Sequence, residues 1–406
     1  MKLGVTYSSD LGPGLAAVGS PGTAADAANY AREQQALWQR GADDINSRGG
    51  FGGCKVVVVF HDFHVLNTSG FSSESQAECA DLAEDKRVFG VVSAVLENET
   101  AVRCFADHRV VSLFYSAVYQ PTPADFAKYR GYLYQPSGMT PYRFGPFIDQ
   151  LAAADFLPRG AKVGILLADD GSGTNQYLVE RLWKPRLAAR GITPVVFNYK
   201  LVQSVSDNSS IAAQFGSAVL RFKSANVDRI LVTPDNGDAT IFFTQVAESQ
   251  GYRPRYALNS ATAPAGWPSV PAGQRRDALN VSFSLIDLGG APDGHELASN
   301  PPSSGRARCE ALYKGHTGST TIIAAYNICD TFEFLRTALQ NTTVVTPAAL
   351  LAGVDRMVSS LSLANGYANA TFRAPSRYDG ASATRMMRWD EAASRWHYVS
   401  APALVP

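Results

Sequence analysis

The sequence carries little charge and no excess of either sign: 18% of its 406 residues are charged, with 36 basic residues against 36 acidic ones. A chain with no net field and no dense basic tract is not built for nucleic acid or an anionic membrane surface. Long apolar runs are missing too; the longest, Val56 to Phe60 and Gly164 to Ala168, fall far short of a membrane span. Cysteine is sparse, five in all and never spaced Cys-x-x-Cys, so a redox dithiol or zinc knuckle has no support. The signatures of common catalysts are absent as well: no Gly-x-Ser-x-Gly, no His-Glu-x-x-His and no Gly-Lys-Ser/Thr. No cofactor and no metal is implied, and a hydrolase would need a non-standard active site.

What is present is a repeated α/β pattern. Lys2 to Tyr7 reads as a strand, Asn29 to Ser47 as a helix with Leu37, Trp38, Ala42 and Ile45 on one face, Gly49-Gly50 as its stop, and Cys54 to Phe60 as the next strand. Helices over Ser75–Asp85 and Asn98–Asp107 alternate with strands at Val88–Val92 and Val110–Phe114. Right-handed crossovers then require a mostly parallel sheet. Pro121 to Pro141 breaks the alternation and reads as the way out of this lobe. A second set follows: helices over Arg143–Leu157, Asn175–Arg190, Ser210–Ser224 and Ala239–Gln250, with strands at Lys162–Leu167, Thr193–Tyr199, Asp228–Val232 and Arg255–Asn259. Beyond it come a strand at Asn280–Ile286, turn formers from Asp287 to Arg306, helices at Thr320–Leu339 and Pro347–Ser359, and a hairpin of Met386–Trp389 with Trp396–Val399. The chain is long enough for two domains. The expected division is residues 1–137 with 262–355 as the first lobe and 138–261 with 356–406 as the second.

Cys79 and Cys104 fall on successive predicted helices, and Cys309 and Cys329 flank a short segment before a helix. Two disulfides with Cys54 left over is one reading; buried free thiols acting as small hydrophobes is the other. Taken literally, a start with strand residues rather than a long apolar leader core argues for the cytoplasm. Against that, a chain whose leader has been removed would start the same way, and the low Lys and high Ser, Thr and Asn content agrees with export.

The segment Gly41-Ala-Asp-Asp-Ile-Asn-Ser-Arg-Gly-Gly-Phe-Gly-Gly-Cys-Lys-Val-Val-Val-Val-Phe-His-Asp62 resembles one that the branched-chain amino-acid-binding (Leu/Ile/Val) receptors carry after their first strand. Phe156-Leu-Pro-Arg-Gly-Ala-Lys-Val-Gly-Ile-Leu-Leu-Ala-Asp-Asp170, Leu187-Ala-Ala-Arg-Gly-Ile192, Phe222-Lys-Ser-Ala-Asn-Val-Asp-Arg-Ile-Leu-Val232, Gln245-Val-Ala-Glu-Ser-Gln-Gly-Tyr252 and Ala324-Ala-Tyr-Asn-Ile-Cys-Asp330 continue the resemblance. These are type I solute-binding receptors of ABC importers. The resemblance implies an α/β protein of two doubly wound Rossmann-like lobes joined by a multi-strand hinge, the type I periplasmic-binding-protein fold. It implies an extracytoplasmic, monomeric receptor, periplasmic or lipid-anchored at a Gram-positive surface, that closes on a small solute and delivers it to a membrane permease. A sensory receptor of the same fold without transport is the alternative.

In that family the ligand contacts lie on loops at the carboxyl ends of strands, where crevices form in open α/β sheets. By position these are Ser93 and Ala94 after the third strand, and Ser116 and Ala117 after the fourth, with Val118 where a hydroxyl is common. In the second lobe they are Asp170 and Ser172 in Asp169-Asp-Gly-Ser-Gly-Thr-Asn175, Asp235 and Asn236 in Thr233-Pro-Asp-Asn-Gly-Asp238, and Ser260. No acid stands beside Ser260 where an ammonium-binding Glu is common, so Asp235 or Asp238 is expected to supply the charge. Tyr7, Tyr115 and Tyr119 would give aromatic walls, and Trp267, in a proline-rich loop, is the exposed aromatic candidate.

Simpler readings compete at several points. Asp170-Gly-Ser-Gly-Thr174 is either a backbone anion cradle or a plain strand-to-helix turn. His61 and His64 share a metal-like spacing without a further ligand nearby. Trp38, Trp389 and Trp396 read as packing groups.

Overall fold

A computed structural model describes residues 1–10, 24–93, 98–114, 120–289, 294–315, 322–357, 361–372 and 379–405. The chain divides into two compact units, Met1–Met139 with Pro301–Ser382 and Thr140–Asn300 with Ala383–Pro406. It therefore passes from one unit to the other three times, at 139–140, 300–301 and 382–383.

The first unit is built on β1 (Lys2–Tyr7), β2 (Val57–Asp62), β3 (Gly90–Ser93), β4 (Val111–Phe114) and β5 (Leu133–Tyr134) in the order β2-β1-β3-β4-β5. All four pairings are parallel. Every residue of β3 and β4 is buried, as expected of central parallel strands covered on both faces. Helix α1 (Ala24–Ser47) buries Leu37, Trp38, Ala42 and Ile45. Gly41 lies on that helix because a Cβ there would come within 2.5 Å of the Phe332 ring. That ring belongs to α10, defined below, which packs against Trp38 with ring centroids 5.4 Å apart.

Helices α2 (Phe71–Cys79, widening to a π turn over Ala80–Asp85) and α3 (Glu99–Asp107) are joined by a disulfide from Cys79 to Cys104. Asn98 caps α3 by accepting from Ala101 N. The stretch read as a passage out of the lobe does contain the crossing at 139–140, and before it forms α4 (Pro123–Lys128) and β5. The reason is local: Thr122 and Asp125 make a reciprocal capping box around Pro123, which starts a helix inside a proline-rich segment.

The second unit carries α5 (Pro146–Ala153), β6 (Val163–Asp169), and a helix α6 that opens at Thr174–Tyr177, widens at Leu178–Trp183 and ends at Lys184–Ala188. It continues with β7 (Val195–Lys200), α7 (Asn208–Ser224), β8 (Arg229–Val232), α8 (Ala239–Phe243 continuing as Thr244–Ser249), β9 (Arg255–Asn259) and β10 (Leu279–Ser282). Returning to the first unit, the chain forms α9 (Ser304–Tyr313), α10 (Ile322–Leu339) and α11 (Pro347–Met357). A Cβ on Gly353 would lie 1.8 Å from Ala338 O, so only glycine lets α11 approach α10 this closely. A second disulfide joins Cys309 of α9 to Cys329 of α10, and Cys54 is free.

The chain finishes in the second unit with β11 (Ala383–Asp390), β12 (Arg395–Tyr398) and β13 (Ala403–Leu404). That sheet runs β12-β11-β10-β9-β8-β6-β7, with β13 beside β11. Strands β6 to β10 pair in parallel, and the terminal strands add antiparallel.

Three expectations are corrected. Residues 262–300 pack with the second unit, because β10 extends its sheet through the pairing Leu279↔Ala257. Residues 356–382 stay with the first unit, where the Asp330 carboxylate accepts from Ala364 N and Asn365 N at 2.6 and 3.0 Å. The strand from Asn280 ends at Ser282, because Ser284 accepts from Ile286 N and starts a 3-10 turn over Leu285–Leu288.

Candidate functional site

At the carboxyl edge of the first sheet, Thr6, Ser93 and Phe114 stand in register across β1, β3 and β4, so their side chains share one face. Thr6 is fully buried and its hydroxyl donates to Glu78 of α2, a carboxyl 1% exposed. Burial pushes the Glu78 carboxyl up to about 7, against the lowering hydrogen bond from Thr6. Ser93 is also buried. Tyr7 points to the opposite face, edge-on to Phe60 at 6.2 Å and hydrogen-bonded to Gln35 of α1 and to Asp62. It is half-buried, and burial with the Asp62 charge raises its phenol. The expected site residues Ala94, Tyr115, Ser116 and Ala117, and with them Val118 and Tyr119, lie outside the described residues.

The neighbouring turns are tied together by acids. Asp10 accepts from Val65 N and Leu66 N, both at 3.0 Å, and Asp62 accepts from Ser9 N at 2.9 Å. Glu74 accepts from His64 N and Asn67 Nδ2. His61 Nδ1 sits 2.8 Å from Asp81, which also holds Lys86 Nζ at 2.6 Å, so the two histidines converge on no shared point. Among the described residues the one group of metal-type ligands is Cys79, Cys104 and His108, and its two sulfurs are already bonded to each other.

In the second unit the turn after β6 resolves the choice left open at Asp170. Gly171 N donates to Asp169, and Ser172 N and Oγ both donate to Asp170, at 3.0, 3.0 and 2.8 Å. Thr174 N donates to Ser172 Oγ at 3.1 Å and starts α6. Three of the donors an anion would need are therefore held by the chain's own carboxylates, and the fourth by a hydroxyl. This is a strand-to-helix turn that carries two acids, Asp169 and Asp170. Asn175 braces it, donating from Nδ2 to Ala168 O and Pro234 O, while its buried Oδ1 has no partner among the described residues.

Asp235 does not stand ready for a solute. It is 2% exposed and accepts from Tyr199 Oη, Gly237 N and Ala239 N at 2.7, 2.9 and 2.7 Å. The Thr233-Pro-Asp-Asn-Gly turn folds its acid inward because Asn236 and Gly237 adopt positive φ angles of 56° and 101°. Asn236 itself is half-buried with its N–H on Ala261 O at 2.9 Å. Asp238 is half-buried and accepts from Val202 N. Trp267 is fully buried, edge-on to Tyr256 at 5.4 Å and 6.1 Å from Trp396, so it is a core residue and not an exposed aromatic.

Ser260 is half-buried, and space supplies beside it the acid that the sequence does not. Its hydroxyl donates to Asp287 at 2.5 Å and accepts from Phe283 N at 2.8 Å. Asp287 is 2% exposed and also accepts from Asn280 Nδ2 at 3.0 Å. Burial raises this carboxyl to about 6, opposed by hydrogen bonds from Ser260, Asn280 and Ser282. A hydroxyl has one donor and two acceptor positions. With the donor on Asp287 and one acceptor used by Phe283, what Ser260 retains is a lone pair, made electron-rich by the charge behind it. Sequence reading missed Asp287 inside a run of turn formers. The Ser284-x-x-Asp287 spacing, a helix-start signature, was the available signal.

No protein family and no curated protein matches the sequence. Solved structures do match along the whole chain. A leucine-binding protein from Thermotoga maritima superposes with a TM-score of 0.66 at 12% identity, over 100% of this chain and 99% of that one. An extracellular ligand-binding receptor from Rhodopseudomonas palustris gives 0.66 at 14% identity, covering 98% and 99%. A fatty acid ABC transporter substrate-binding protein from Thermomonospora curvata gives 0.63 at 14% identity, covering 100% and 92%. The likeness is one of fold. The architecture is that of the type I periplasmic-binding proteins, two α/β units with parallel and mixed sheets. Among the described residues no helix is long and apolar enough to cross a membrane.

Proposed function

We propose that this chain is the extracytoplasmic solute receptor of an ABC importer, a monomer that captures one small polar solute by closure of its two units and presents it to a membrane permease. Fold likeness to substrate-binding proteins over the full length supports the receptor role. The observation that carries the solute class is the half-buried Ser260 hydroxyl backed by the enclosed Asp287 carboxylate. A lone pair backed by charge favours a solute that brings hydrogen-bond donors, above all a cationic amine. The acidic turn at Asp169 and Asp170 adds to the same preference. Tyr7, Ser93, Ser172 and Asn236 remain the further contacts expected from the carboxyl edges, with Asp170 beside them. The test is a thermal-shift screen of the purified protein against amino acids, polyamines, short peptides, sugars, nucleosides and aromatic acids, confirmed by calorimetry. The expected hit is an amine-bearing solute bound at micromolar or tighter affinity without turnover. Silence across the panel from protein shown by mass spectrometry to be folded and ligand-free, or conversion of the hit into a product, would overturn the reading.

A further inference from the structure

One strand of the second unit is left open in a way that neither the receptor reading nor its solute uses. Among the described residues strand β7 pairs only with β6 and ends the sheet. Leu201 N bonds Asp169 O, which fixes the ladder: the odd-numbered residues of β7 turn their N–H and C=O groups to β6, and Val196, Asn198 and Lys200 turn theirs outward. Lys200 N is covered by the Gln214 side chain. Val196 and Asn198 have no such cover among the described residues, and they line a groove of about 430 Å³ together with Phe197, Gln176, Glu180 and Arg221.

The walls of the groove differ in what they leave unpaired. Phe197 and Tyr199 face α7, where their rings meet Phe222 and Phe215 at 6.5 and 4.8 Å. Arg221 stands on that side, exposed and without an ion pair among the described residues. Val196 and Asn198 face the other side, with Gln176 and Glu180 of α6. There the Glu180 charge is balanced by Lys184 Nζ at 2.6 Å and touched by Gln176 Nε2.

We propose that the open edge of β7 receives an extended peptide segment as an added strand, with carboxylates on alternate residues facing Arg221 and uncharged polar residues facing Gln176 and Glu180. Main-chain hydrogen bonds to Val196 and Asn198 give the affinity, and the unpaired Arg221 charge on one wall gives the pattern. A strand alternates its side chains between faces, so an acid at every second position meets Arg221 while neutral residues meet Gln176 and the already paired Glu180. A second copy of this chain fits poorly. Antiparallel pairing of β7 with itself about an axis normal to the sheet keeps faces together and sets Arg221 against Arg221.

The probe is the synthetic peptide acetyl-Thr-Glu-Thr-Glu-Thr-Val-amide, with a version carrying proline at the central threonine as control. Hydrogen exchange followed by mass spectrometry should show slowed exchange over residues 195–200 with the probe and none with the proline control. Arg221→Glu, an exposed change that leaves the core untouched, should weaken the probe about tenfold, the scale of one charge-assisted hydrogen bond. The same variant should gain affinity for the lysine version of the peptide. No protection of 195–200 at millimolar probe overturns the proposal, and so does protection that Arg221→Glu leaves unchanged. Solute binding in the thermal-shift screen is a separate readout and is unaffected by either result.

Discussion

In the first unit Asp330 is 1% exposed and accepts from two main-chain N–H groups, those of Ala364 and Asn365. In the second, Asp287 is enclosed to 2%, yet its partners are side chains, and one of them, Ser260, reaches the surface. Burial raises both carboxyls, to about 7 and about 6. Depth and acidity therefore do not separate them, but their partners do. A carboxylate held by main-chain N–H groups pins a loop to a helix; one held through a half-exposed hydroxyl passes its charge outward. Asp235 falls with Asp330, since two of its three donors are main-chain groups.

The largest effect should come from removing the pinning acid. Asp330→Ala leaves two buried N–H groups without partners, and the loss should be about 3–5 kcal/mol of unfolding free energy. Urea titration followed by circular dichroism measures it; a loss below about 1 kcal/mol would mean the loop 361–372 does not depend on this acid. The disulfide on the same scaffold comes next. Replacing Cys309 and Cys329, 20 residues apart in sequence, with serine should cost about 3 kcal/mol. The same urea titration reads it, and an unchanged midpoint would show that helix packing alone fixes α9 on α10.

The fold was legible because its elements follow hydrophobic period. Val163–Asp169 and Arg255–Asn259 fall close to or on their expected limits, and Trp38, Ala42 and Ile45 occupy the buried stripe of α1. What escaped was set by contacts distant in sequence. Nothing near Asn280 announces that β10 joins β9 rather than the first sheet. The candidate site was less legible for the same reason. Asp235 was visible as an acid in a turn, but the Tyr199 hydroxyl that closes over it comes from 36 residues away. Asp287 lies 27 residues from Ser260, and no local spacing rule joins them.

Glu78 tests the comparison from between the two cases. Its donor is a side-chain hydroxyl, as for Asp287, but Thr6 is fully buried, so its charge has no path outward. It should therefore act on stability alone. A carboxyl near 7 in the folded chain and 4.5 when unfolded holds its proton more tightly when folded. Its contribution is neutral below pH 4.5, turns unfavourable as pH rises to 7, and stays so above. Glu78→Gln mimics the protonated form, so the variant should gain about 2–3 kcal/mol over wild type at pH 8 and nothing at pH 4. Melting curves at the two pH values decide it; an equal gain at both would place the effect in packing rather than ionisation.

Asp287→Asn is the finest test, because it asks one substitution to move two quantities in opposite directions. The asparagine oxygen can still accept from Ser260 and Asn280, and its amide can donate toward Ser282, so the hydrogen bonds survive and only the charge goes. The folded carboxyl near 6 against 3.8 unfolded makes ionisation at pH 7 a cost to the folded state. The variant should thus melt no lower than wild type at pH 7, with a gain on the order of 1 kcal/mol. Affinity for an amine-bearing solute should fall about tenfold by calorimetry, since Ser260 loses the charge behind its lone pair. Reduced stability with unchanged affinity would put Asp287 with Asp330, as a pin and nothing more. A fall in affinity without a fall in melting temperature requires that the charge reach the solute through Ser260, which is the distinction between the two units stated as a measurement.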